Sequence, residues 1–184
     1  ARPHRFQFYA LLYVFAGEGR HYIDFKSYAY QPGSIIFISR DQVHAFEQNL
    51  EREASLLLFT KAFLERSSLA SNLMQQLSLY NYHLYPPVIN LTAGERPVFT
   101  NLLYRIRDEY FAPDDQLTEE IIQSSLKIFL CLAERIRKKN RADQIQSKYH
   151  EEFILFQQLL NEHPPRERQV QFYAEALSIP SKTL

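Results

Sequence analysis

The sequence predicts an α+β chain in which an antiparallel β domain comes first and helices follow. Three observations carry this. From Phe8 to Phe59, short apolar runs alternate with glycine, proline and polar breaks, the mark of short antiparallel strands. Beyond Phe59 the apolar period lengthens to three and four, the spacing of one helix face. At the far end Val170, Tyr173, Ala174 and Leu177 describe a short amphipathic helix, followed by a turn and the opening of another helix.

Phe8 to Phe15 (FYALLYVF) is a dense aromatic and aliphatic strand. Gly17 and Gly19 break it and His21 to Phe25 resumes the pattern, so a glycine-centred hairpin is expected, with Arg20 and His21 beside it in solvent. Gln31, Pro32 and Gly33 make a turn, and Ser34 to Ser39 is a short buried strand. A polar break at Arg40 to Gln42 leads to Val43 to Glu47, and Ala54 to Phe59 closes the series. Such a series fits an antiparallel sandwich or small barrel. Tyr9, Tyr13 and Phe15 share the alternate face of the first run, where they either fill the barrel or receive the later helices.

Lys61 to Glu65 and Leu69 to Leu79 read as short helices, and Asn81 to Asn90 as an aromatic loop holding Pro86 and Pro87. Thr92 can cap a helix entering at Glu95, whose stripe is Phe99, Leu102, Leu103, Ile106 and Tyr110. After a turn at Ala112 to Asp115, Thr118 caps the longest helix, with Glu119 and Glu120 in its first turn and an end near Lys139. Ile122, Leu126, Phe129, Ala133 and Ile136 form one stripe, and Ile121, Ile128 and Leu132 flank it. Together they cover too wide an arc for one neighbour. One face can cover the β domain while another meets a second subunit, and the first stripe is assigned to dimerisation; a wholly intramolecular helix is the alternative. Cys131 lies among these apolar residues and is expected to be inert core.

Arg135, Arg137, Lys138, Lys139 and Arg141 suit the negative end of the helix dipole. Polar residues then mark a linker at 140–149, separating residues 1–139 from 150–184. In the last part, Phe153, Phe156 and Leu160 form a helix stripe ended by Pro164 and Pro165. Ala174 is small enough for a close helix crossing, Ile179 plugs the turn, and Pro180 and Ser181 suit a helix start.

The formal net charge of +0 over 184 residues gives no global pull toward nucleic acid or anionic membranes, so any DNA affinity is local. One cysteine excludes an internal disulfide framework and fits a reducing compartment. No signal peptide or bilayer-length apolar run is seen, and the cytoplasm is the expected location. Whether residues precede Ala1 stays open.

The stretch FILFQQLLNEHPPRERQVQFYAEALSIPSKTL resembles the start of the DNA-binding domain of AraC-family transcriptional regulators, which runs helix, loop, then YA-x-x-L-x-I-x-x-x-x-L. Tyr173, Ala174, Leu177, Ile179 and Leu184 match it position by position. The family has serine then proline where Pro180 and Ser181 stand, and most of its two helix-turn-helix units are absent from these residues. The resemblance implies DNA contacts at Ser181, Lys182 and Thr183.

The segments PHRFQFYALLYVFAGEGRHYIDF and QPGSIIFISRDQVHAF resemble the cupin barrel that forms the sensor half of many AraC-family proteins. Metal-binding cupins place ligands at positions matching His4, Phe6, Ala10 and His44, and Phe6 and Ala10 cannot serve. No metal, no cofactor and no enzyme activity are therefore expected. The resemblance implies instead a ligand site at the barrel mouth. A sugar-responsive family member has its contacts at positions matching Arg2, His44 and Phe46, and Phe6 and Ala10 complete the expected ligand-binding set. Each has a plainer reading: Arg2 as a frayed terminus, His44 and Phe46 as core.

The implied whole is a cupin-like effector-binding and dimerisation domain, a linker, and the opening of a helix-turn-helix domain. Its partners would be a small-molecule effector, a sugar among the candidates, operator DNA for the full-length protein, and a second copy of the chain. A metal-dependent cupin enzyme and a sensor that never touches DNA are the alternatives.

Overall fold

A computed structural model describes residues 4–5, 7–40, 42–47, 51–66, 73–82, 85–142 and 170–176. The chain divides into two compact units, Ala1–Lys139 and Asn140–Leu184.

In the first unit the strands are β1 (His4–Arg5), β2 (Tyr9–Ala16), β3 (Gly19–Ile23), β4 (Lys26–Tyr30), β5 (Ser34–Ile38), β6 (Val43–Phe46), β7 (Glu53–Phe59) and β8 (Val88–Asn90). Helices α1 (Lys61–Glu65), α2 (Leu73–Gln76), α3 (Arg96–Phe111) and α4 (Thr118–Ala142) complete it. Among the described residues the strands form two four-stranded antiparallel sheets, ordered β1-β6-β3-β4 and β7-β2-β5-β8. The α+β class is as expected. The two sheets face one another without joining into one continuous barrel.

Strand β2 shows why the layers form. Successive side chains leave a strand on opposite faces. Ala10, Leu12 and Val14 meet Ile23 and Tyr30 of the facing sheet, and with Ile36 and Ile38 they make the layer between the sheets. Leu11 and Tyr13 point the other way, where Ile35, Phe37, Phe99, Leu103, Leu126 and Phe129 bury them under the helices. Tyr9 and Phe15 pack against that second cluster, which settles their face as the helix side. Tyr13 Oη lies 3.2 Å from Thr100 Oγ1, tying β2 to α3, and the rings of Phe99 and Phe129 meet edge to face at 4.8 Å. Each fully buried side chain of this kind contributes about 1.5–3 kcal/mol.

The expected glycine hairpin is not formed. Strand β2 pairs with β5 and β7, and after Gly17 the chain crosses to the other sheet. Gly17 sits at φ +85°, and a Cβ there would run into the Glu51 carbonyl oxygen, so the position needs glycine for the crossing. The hairpin lies one strand later, between β3 and β4, on a two-residue turn of Asp24 (φ 47°) and Phe25 (φ 66°). Positive φ at both residues matches the right-handed twist of the flanking strands. The turn has no Asn-Gly signature, which is why β4 escaped the sequence pattern. Asp24 anchors it: Oδ1 accepts from the Val43 amide at 3.0 Å and Oδ2 from Gln42 Nε2 at 2.7 Å. Strand β8, inside the expected aromatic loop, was also missed because three residues carry too little period to read.

Helix α4 begins at Thr118, but Asp115 caps it, its Oδ1 accepting from the Leu117 and Thr118 amides at 2.7 and 3.0 Å. It runs to Ala142, past the expected end. On α3, Tyr110 leaves the expected stripe and is exposed. Thr92 donates through its amide and hydroxyl to Glu95 Oε2, both at 2.8 Å, which holds the Glu95 carboxyl below its ordinary range.

In the second unit, α5 (Val170–Ala176) forms where the tail spacing requires a helix, with Ala174 buried and Gln171 Nε2 donating to Glu175 Oε1 at 3.2 Å. The expected stripe at 152–163, the turn after Leu177 and the second helix lie outside the described residues.

Candidate functional site

The layer between the sheets is apolar on one wall and polar on the other. Strands β2 and β5 present Ala10, Leu12, Val14, Ile36 and Ile38. From the facing sheet come His21 of β3, His44 and Phe46 of β6 and Tyr30 of β4. Antiparallel register brings them together: His21 is paired with Phe46, and Ile23 with His44. Cross-strand partners share a face, so both histidines and Phe46 look inward.

The histidine rings stack at 5.4 Å with 13° between their planes. Phe46 meets His21 edge-on at 3.9 Å. Arg52, just before β7, lays its guanidinium over the Phe46 ring at 3.7 Å and over Tyr30 at 5.8 Å, with Nη1 donating to Tyr30 Oη at 3.4 Å. A cation over an aromatic face is held by the ring's quadrupole. His21 is 0% exposed, and among the described residues neither ring nitrogen has a hydrogen-bond partner. Burial first, then His44 and Arg52, lower its pKa to about 3, so it stands neutral with one donor and one acceptor nitrogen.

Open clefts lie near the two ends of the β3–β4 hairpin. One, of 230 Å³, is lined by Ile23, Asp24, Lys26, Tyr28, Gln42 and Pro87, among others. The other, of 340 Å³, is lined by Glu18, Arg20, Tyr30, Gln31 and Asn90, among others. Tyr28 pairs with His21 and Ile23 with His44, so the first cleft continues the rows of the histidines.

Of the expected ligand set, Ala10, His44 and Phe46 are brought together in this layer. Arg2 and Phe6 lie outside the described residues. His4 is opposite His44 in the β1–β6 register. Among the described residues no group of three or more His, Cys, Asp or Glu is placed to hold a metal, and no helix is long and apolar enough to cross a membrane.

Several expectations are corrected. His21, expected in solvent with Arg20, is buried, because Asp24 and Phe25 make the turn and His21 falls in phase with inward Ile23. Its period-two relation to Ile23 was the signal that could have found it. Tyr30 and Arg52 had no such signal, since only the fold brings β4 and the start of β7 to the same ring. The stripe assigned to dimerisation is also corrected: Leu126, Phe129 and Ala133 are buried in the chain's own core, with Ile122 and Ile136 packed against it. Those three, enclosed under their own sheet, have no surface left for a partner, while Ile122 and Ile136 are half-buried. The outward face of α4 carries instead Leu117 just ahead of it, then Ile121, Ile128 and Cys131, spaced by four, seven and three. Cys131 is exposed rather than core. Ser181, Lys182 and Thr183 lie outside the described residues.

A family model described as AraC-like ligand binding domain matches residues 1–148. No curated protein matches the sequence. Among solved structures, the AraC-like transcriptional activator CuxR aligns at 14% identity with a TM-score of 0.44, covering 97% of this chain and 59% of that one. ToxT K231A from Vibrio cholerae strain SCE256, in its apo form, aligns at 14% identity with a TM-score of 0.47, covering 100% of this chain and 68% of that one.

Proposed function

The chain belongs to the family of AraC-like ligand-binding domains, and from that premise we propose that it is the sensor half of a DNA-binding transcriptional regulator. The observation that carries this is the polar island of His21, His44, Tyr30 and Arg52 inside an otherwise apolar layer. A core built only for stability would not leave the ring nitrogens of His21 without a partner among the described residues, since each such group costs about 1–3 kcal/mol. A small molecule entering this layer would supply the missing partner.

In this reading residues 1–139 bind the effector and dimerise, 140–149 link, and 150–184 open the helix-turn-helix domain in which Ser181, Lys182 and Thr183 approach DNA. The protein works in the cytoplasm and catalyses no reaction. A second copy meets the outward face of α4 through Leu117, Ile121, Ile128 and Cys131. The effector acts by binding one arrangement of the regulator more tightly than another, because only a difference in affinity shifts a population.

The test has two parts. A thermal-shift screen of small molecules against this chain should find one that raises its melting temperature, as any guest of the folded state does by mass action. The full-length protein should then bind DNA fragments from upstream of its own gene with an affinity that this molecule changes. Binding that no effector alters would reject the regulator reading.

A further inference from the structure

Strand β7 stands at one edge of the sheet β7-β2-β5-β8 and is bonded there to β2 alone among the described residues. On its free side every second backbone N–H and C=O points away from the sheet, a row that another strand can pair with. The remaining edges are short: β1, β4 and β8 have two, five and three residues, against seven in β7. Edges that stay alone are usually blunted by a proline, a bulge or a charge. From Ala54 to Phe59 (ASLLLF) β7 has none of these, and its register with β2 runs unbroken.

The side chains of β7 are open as well. Leu56 and Leu58, which pair with Leu12 and Ala10 of β2, are 48% and 46% exposed and lie on one face. Charge is split along the strand, with exposed Glu53 at its start and exposed Lys61 just past its end. A strand acidic at one end and basic at the other complements a copy of itself run in reverse. For the free N–H and C=O groups of two such copies to meet, the two-fold axis must pass through a residue, since directly opposed residues either both bond or both do not. With the axis at Leu57, Leu56 lies opposite Leu58 of the second copy, and Glu53 lies opposite its Lys61. An axis at Leu56 sets Leu58 against Ala54, and one at Leu58 sets Leu56 against Thr60. Only Leu57 gives both exposed leucines a leucine.

We propose that β7 is a docking surface for a second copy of this chain: the two edges pair antiparallel about Leu57 and continue one sheet through both molecules. This surface is separate from the outward face of α4, and the two contacts together would join dimers into tetramers. One pair of short strands covers far less than the roughly 1,000 Å² of a stable interface, so the contact is weak and forms at high concentration.

Disulfide trapping on this chain, with Cys131→Ser to remove the native thiol, reads the register directly. Leu56→Cys and Leu58→Cys chains mixed at high concentration under mild oxidation should give a linked dimer. Either chain alone should give about ten-fold less, because its cysteine faces a leucine rather than itself. Both positions are half-exposed, so neither change empties the core. Glu53→Lys in both chains should lower the mixed yield about three-fold, and adding Lys61→Glu should restore it. Ile128→Asp on α4 should leave the yield unchanged. No linked dimer from any combination overturns the pairing. Self-linking of Leu56→Cys alone, as strong as that of the mixture, overturns the register. A yield indifferent to Glu53→Lys overturns the charge match, and a yield lost with Ile128→Asp overturns the separate surface.

Discussion

The two faces of the β7-β2-β5-β8 sheet are built from neighbouring residues of the same strands and do opposite things. On the helix side, Leu11, Tyr13, Ile35 and Phe37 meet α3 and α4 in a filled core whose buried charges are engaged, Glu134 accepting from Ser78 and Arg137 donating to the Ser78 carbonyl oxygen beside the Phe37 ring. On the sheet side, Ala10, Leu12, Ile36 and Ile38 meet a wall that holds two histidines and an arginine stacked on an aromatic ring. One residue along a strand separates the two layers. The lesson is that the helices carry much of the fold's burial on one face, so that the other can hold a buried histidine, His21, whose ring nitrogens have no hydrogen-bond partner among the described residues.

The sharpest way to break this division is to cut each side in turn. Phe129→Ala on the helix side should cost about 3–5 kcal/mol in urea unfolding, the range for an aromatic removed from a packed core. Phe46→Ala should cost clearly less, and equal losses would show that both layers carry the fold. Next comes acid. His21 has a folded pKa of about 3, below its ordinary 6.5, so the unfolded chain binds the proton first and stability falls as pH drops below 6.5. The loss should reach about 2 kcal/mol between pH 7 and pH 5. His21→Leu should flatten that slope in parallel melts, and an unchanged slope would mean His21 is not held neutral.

Smaller effects sharpen the helix side. Asp115→Ala should cost about 1 kcal/mol by leaving the first amides of α4 without their acceptor, read as a lowered melting temperature. Ile128→Asp, at an exposed position, should change stability by no more than about 0.5 kcal/mol. Its effect should appear in the molar mass by light scattering, as a dimer becoming a monomer. A wild-type chain already monomeric at high concentration would remove α4's outward face from the interface.

Legibility followed period and length. Helix α4 was readable because it repeats its apolar spacing for many turns, and β2 because its run is long and aromatic. What failed was local: the hairpin was placed on Gly17 and Gly19 because glycine is the usual sign of a turn, whereas Asp24 and Phe25 take positive φ without it. That single displacement moved His21 from the interior to the surface. Phe25, 97% exposed, bears about 1 kcal/mol of left-handed strain that no propensity would choose. That His44 and Phe46 share one face was legible from their alternation, whereas the neighbours His21, Tyr30 and Arg52 that the fold brings to them were not.

From the chain alone one could read an antiparallel β domain followed by helices, the face each long element buries and the family the residues resemble, because all three rest on neighbours in sequence. Only the folded arrangement decided which of α4's two stripes lies inside, which sheet β2 joins, and that Arg52, Tyr30, His21 and Phe46 share one ring of contacts. The reason is physical: strand and helix periods are set within a few residues, whereas register and layer order depend on which distant segments exclude water together.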